Sequence, residues 1–81
     1  MNEITQQDYD ESCNSFKLEI DKLVNKSGHG SLAMAIAMGN KEITTMLYQF
    51  QEMINPAVNK LGLKTKSLSE IFGVEIKLTA Y

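Results

Sequence analysis

The sequence predicts a mainly α-helical domain: a small bundle of two long helices, one or two short C-terminal helices, and an extended or β C-terminal tail. Three observations carry this. Apolar residues recur at three- and four-residue intervals along most of the chain, the spacing of one helix face. Thr5/Asp8, Ser31 and Ser67/Glu70 stand in front of such stretches as side-chain caps, since each can accept a hydrogen bond from an otherwise unpaired backbone N–H. Alternation with period two, the mark of a strand, is confined to the last eight residues.

The first helix is expected to begin near Gln6. Thr5 with Asp8 three residues later resembles a capping box, and Asp8, Asp10 and Glu11 suit the positive end of a helix dipole. From there Tyr9, Cys13, Phe16, Ile20 and Leu23 recur at intervals of four, three, four and three, with Val24 widening the stripe. Asp10, Lys17, Glu19, Asp21 and Lys22 lie off it, leaving one buried face. Gly28 and Gly30 flank His29 and end the helix, because glycine accepts the left-handed conformation of a C-terminal cap. Ser31 then opens the next helix.

That second helix is expected over residues 32–55. Leu32, Ile36, Ile43, Leu47, Phe50 and Ile54 form its core stripe, and Met34, Met38, Met46 and Met53 add apolar surface beside it. The opening run Leu-Ala-Met-Ala-Ile-Ala-Met is apolar on all sides, so this helix needs neighbours on more than one face. Gly39-Asn40 falls in its middle, where glycine costs about 1 kcal/mol relative to alanine and asparagine can cap a restarted helix. A kink is expected there in preference to a clean break. Asn55-Pro56 ends the helix and starts a short one that Gly62 closes, and Ser67/Glu70 caps a last turn stopped by Gly73.

Residues 74–81 read as a strand without a partner strand elsewhere in the chain. Its backbone groups need partners. Three arrangements are open: packing over the helices as an extended tail, pairing with the same strand of another copy, or adding to the sheet edge of another protein. No linker, repeat or low-complexity tract divides the chain, so residues 1–81 form a single domain.

Composition narrows the function. All eight basic residues are lysine; arginine's planar fork, the usual device for reading phosphates and guanine edges, is absent. The liberal use of Asn, Ile and Lys fits codon bias in an AT-rich genome, and the loss of arginine chemistry follows whatever the cause. A net charge of -2 provides no general attraction to nucleic acid or anionic membrane. Neither specific nucleic-acid binding nor membrane association is expected. With 43% hydrophobic and 22% charged residues the chain has the composition of a folded protein. The first residues lack a basic-then-apolar leader and no apolar run reaches bilayer length, so the expected location is cytoplasmic.

Catalytic chemistry finds little to build on. Cys13 is the one cysteine and His29 the one histidine, which rules out an internal disulfide and a Cys/His zinc set. Cys13 lies on the apolar stripe as a small core residue, and His29 reads as part of a helix-breaking turn with no motif to make it a general base. The amides near Gly28–Ser31 lack the lysine of a phosphate loop. The expectation is therefore no enzyme, no cofactor and no metal.

A chain of 81 residues buries about 60% of the surface it exposes when unfolded, so small domains commonly need a supplement. Self-association is the one left, with Met34, Ile36 and Met38 at the contact. Methionine also suits surfaces that adapt to a partner, and the candidate interface comprises Met34, Ile36, Met38, Met46, Met53, Val74, Ile76 and Leu78. The leading expectation is a non-enzymatic, self-associating helical module that binds another protein and regulates or inhibits it, of the kind found among phage or mobile-element accessory factors. One stretch points elsewhere. Ser67-Leu-Ser-Glu-Ile-Phe-Gly-Val74 resembles the middle of a helix-turn-helix motif over eight residues. That resemblance implies a small DNA-binding transcriptional regulator, with Lys60, Lys64, Lys66 and Lys77 available for phosphate contacts and a recognition helix after Gly73.

Overall fold

The computed structural model describes residues 4–78 and is mainly helical. Helix α1 spans Gln6–Lys26, α2 Leu32–Ala37, α3 Lys41–Gln49, α4 Asn55–Lys60 and α5 Leu68–Phe72. A π turn, Phe50–Ile54, joins α3 to α4 without interruption, making one rod of residues 41–60.

The caps work as the sequence implies. Asp8 N–H donates to Thr5 Oγ1 at 3.1 Å and Thr5 N–H to Asp8 Oδ2 at 3.0 Å, the reciprocal pair of a capping box. Ser67 and Glu70 repeat the arrangement at α5. At the end of α1 the Gly28 N–H bonds Asn25 O and the His29 N–H bonds Val24 O, both at 3.1 Å, the two closures of a Schellman motif.

The second long helix differs from expectation in three ways. It breaks at Gly39 instead of kinking. Gly39 takes φ +74°, its N–H bonds Ile36 O, and the Asn40 N–H bonds Ala35 O, so α2 ends in a full Schellman motif. Asn40 Oδ1 then accepts from the Ile43 N–H at 3.1 Å, capping α3. A break that satisfies both loose ends is cheaper than a kink that leaves carbonyls unpaired.

Secondly, Pro56 lies inside the rod. Proline lacks an N–H and its ring crowds the carbonyl four residues back. Here the turn before it widens: the Asn55 N–H bonds Phe50 O, five residues back. The third difference follows from the second. The extra residue in the wide turn rotates the face, so Ile54, expected in the core, is 45% exposed while Val58 is buried. Asn55 takes the inward place.

Asn55 enters a polar knot that ties three segments together. The Tyr9 hydroxyl donates to Asn55 Oδ1 at 2.6 Å and accepts from the Lys66 N–H at 2.8 Å, while Asn55 Nδ2 donates to Lys66 O at 2.8 Å. One turn earlier on α1, Gln6 pairs with both backbone groups of Lys64, at 2.9 and 3.0 Å. The strand-like loop before α5 is thus held by side chains of α1 and the rod. Around the knot lies the core: Tyr9, Cys13, Ile20 and Val24 of α1, Leu32 and Ala35 of α2, Ile43, Leu47, Phe50 and Val58 of the rod, and Leu68. Phe16 stacks on Phe50 at 4.6 Å and meets Phe72 edge-on at 5.9 Å.

In the tail, residue 74 lies in a bend and residues 75–78 carry no regular secondary structure, so no strand forms among the described residues. Ile76 and Leu78 pack against the core, and the Ile76 N–H donates to Ser69 Oγ at 3.0 Å. Within the single chain this is the packed-tail arrangement; residues 79–81 of the expected strand lie outside the described residues.

Two expected outcomes follow from the knot. Asn55→Ala removes both of its bonds and leaves the buried Tyr9 hydroxyl and the Lys66 carbonyl short of partners, a cost of about 2–4 kcal/mol in denaturant unfolding. Burial pushes the Tyr9 hydroxyl up to about 12, against 10 when unfolded. The neutral form is the one the fold favours, so its contribution is whole below pH 10 and is lost as pH rises from about 10 to about 12. The pH dependence of stability across that window, taken as the difference between wild type and Tyr9→Phe, isolates the effect.

Candidate functional site: an exposed methionine and aliphatic surface

The eight candidate interface residues divide evenly. Met34, Met38, Met53 and Val74 point out, at 54%, 69%, 67% and 50% exposure. Ile36, Met46, Ile76 and Leu78 are partly buried against the core. The second set thus packs against the core while part of each side chain stays exposed.

Met34 and Met38 are four residues apart at α2 and share a face. Helix α2 is six residues long, too short to hold itself in water. Its position comes from its ends and its inner face. Ser31 Oγ accepts from the Met34 N–H at 3.2 Å, the Gly39 motif closes the other end, and Leu32 and Ala35 are buried. The methionines therefore project from a backbone pinned on both sides. Beside them an open groove of about 300 Å³ runs between α2 and the tail, lined by Ala33, Ile36, Ala37, Glu75 and Lys77. The carboxylate of Glu75 and the ammonium of Lys77 pair at 3.3 Å on its rim. Val74 lies in an adjoining groove of about 350 Å³ with Leu32, Ala33 and Phe72.

A second apolar area was not anticipated from the sequence. On the rod, Ile54 and Leu61 are 45% and 62% exposed and join Met53. The sequence places Ile54 in the core stripe, and it is the π turn that rotates it outward to join this area. Leu61 sits beside Gly62, where the helix end masked its role.

The residues weighed for chemistry are placed apart from these surfaces. Cys13 is buried, and burial pushes its thiol up, away from the reactive thiolate. His29 Nε2 lies 3.3 Å from Asn40 Nδ2, which also donates to Ser27 Oγ at 3.3 Å. The imidazole thus meets the residue that caps α3, at the junction of the two Schellman turns. Among the described residues no group of three or more His, Cys, Asp or Glu side chains is gathered where it could hold a metal ion, and no helix is long and apolar enough to cross a membrane. After Gly73 the described residues are not helical.

Comparison with known protein families, curated proteins and solved structures finds no match to this chain.

Asn40 and His29 are expected to separate on replacement. Asn40→Ala removes a cap and costs about 1–2 kcal/mol. His29→Ala removes one long contact and shifts stability by about 0.5 kcal/mol or less, the range of an ordinary surface change. Chemical denaturation of both variants checks the difference.

Proposed function

We propose that this chain is a small helical binding module that docks on another protein through the methionine surface of α2 and thereby regulates or inhibits it, without catalysis of its own. The observation that carries the reading is the exposure of Met34 and Met38 at 54% and 69% on a helix pinned at both ends. A backbone already fixed spares the cost of ordering the segment on binding, and methionine, flexible in its side chain, adapts to an irregular partner. The flanking Ala33 and Ala37 leave room for an incoming helix or apolar ridge to approach closely. Small size and a lysine-only basic set suit a phage or mobile-element accessory factor as the biological setting. Self-association is part of the same reading.

The test is capture from lysate of the source cell by tagged wild type and by the double variant Met34→Glu/Met38→Glu. Both positions face solvent, so the variant keeps its thermal midpoint within a few degrees while the captured protein is lost. Equal capture by the two proteins would remove α2 from the binding surface and with it the reading.

A further inference from the structure

The rod carries a second apolar surface whose shape and charge order point to an occupant. Met53, Ile54, Ala57 and Leu61 recur at intervals of one, three and four and lie on one side of the rod. All four are exposed. Beneath them Phe50 and Val58 belong to the core, so the stripe is backed by packed structure.

We propose that this stripe is where two copies of the chain pair, antiparallel, about an axis near Ala57. The proposal rests on the interaction reading above and names one partner, a second copy. Three features support it. Ala57 is the smallest side chain of the stripe and lies midway between Met53 and Leu61. An antiparallel copy therefore meets methyl against methyl at the centre, at the close helix separation of about 8 Å, with Met53 of each copy against Leu61 of the other.

Charge order provides the second feature. Glu52 and Lys60 are exposed and flank the stripe on the same edge, eight residues and thus about 12 Å apart along the axis. In an antiparallel pair the same edges meet, so Glu52 of each copy faces Lys60 of the other. In a parallel pair opposite edges meet, so neither Glu52 nor Lys60 finds its opposite charge across the seam. Rim pairs of this kind add little affinity, and their effect is to select the orientation.

The third feature is backbone direction. Opposed helix dipoles attract in the antiparallel arrangement and repel in the parallel one. Size sets the strength. One stripe of little more than two turns is smaller than the roughly 800 Å² per partner of a stable complex, so the dimer forms reversibly at micromolar concentrations or above.

Light scattering behind a sizing column, over a micromolar to millimolar series, reads the result as a mass rising from 9.1 kDa toward twice that value. Leu61→Glu is expected to hold the mass at one chain with unchanged helicity by circular dichroism. Lys60→Glu weakens association about tenfold by turning two attractive rim pairs repulsive, and Glu52→Lys/Lys60→Glu restores it by exchanging the signs. These charge variants are on the exposed rim, so they report even where Leu61→Glu disturbs the fold.

A wild type that stays at one chain throughout overturns the proposal, as does a dimer abolished by Met38→Glu and indifferent to Leu61→Glu. A dimer that the double charge exchange fails to restore overturns the antiparallel arrangement. Failure of the interaction reading is distinct: a dimer that persists while capture is indifferent to Met34→Glu/Met38→Glu sinks that reading alone.

Discussion

The Tyr9 hydroxyl is the point on which the fold depends. It lies where α1, the rod and the loop before α5 converge, and it both donates to Asn55 and accepts from the Lys66 backbone. Loops normally stay at the surface because their backbone groups need water. This one comes against α1 because Tyr9, Asn55 and Gln6 supply the partners water would otherwise provide. With the loop fixed, Leu68 can be buried and Phe72 can reach Phe16. The knot is small, yet a half-satisfied version would leave polar groups unpaired in the core, so its members stand or fall together.

Asn55 can join the knot because of the π turn. In an uninterrupted α-helix the core stripe through Leu47 and Phe50 leads on to Ile54, and an apolar side chain would face the Tyr9 hydroxyl. One extra residue in the turn substitutes Asn55 for Ile54. Pro56 and the π turn suit each other: proline removes a donor that the wide turn could not readily satisfy, and the wide turn relieves the clash proline brings. The same rotation turns Ile54 outward. A single local irregularity therefore builds an internal clamp and an external apolar stripe at once.

What could be read in advance follows from which forces are local. The start of α1, its buried face and its glycine stop were all legible, because caps and hydrophobic period act over a few residues. The short α5 with its capping box was legible for the same reason. The continuation through Pro56 was not, since proline after asparagine ordinarily marks a boundary and the wide turn that rescues the helix depends on a tertiary contact 46 residues away. At Gly39 the local signals were present but balanced between kink and break; the contacts of Asn40 with Ser27 and His29 across the neighbouring turn lie on the side of the break. For the candidate surface, Met34, Met38 and Met53 stood out because they lay off the core stripe. Ile36 and Met46 did not sort themselves, because a six-residue helix and a break leave no period long enough to phase.

Exposure of apolar side chains needs a cause in a chain this small. Ile54 is outside because Asn55 must be inside. Met34 and Met38 are outside because α2 is short, and its inner face is filled by Leu32 and Ala35. Enclosing either set would take another helix. Among the described residues the interior leaves no buried side-chain polar atom unpaired, while apolar areas stay uncovered on α2 and on the rod. Isolated exposed apolar residues need no explanation, and it is larger contiguous patches that mark contact surfaces. On the proposed reading, the area on the rod serves self-association while that on α2 engages a different protein.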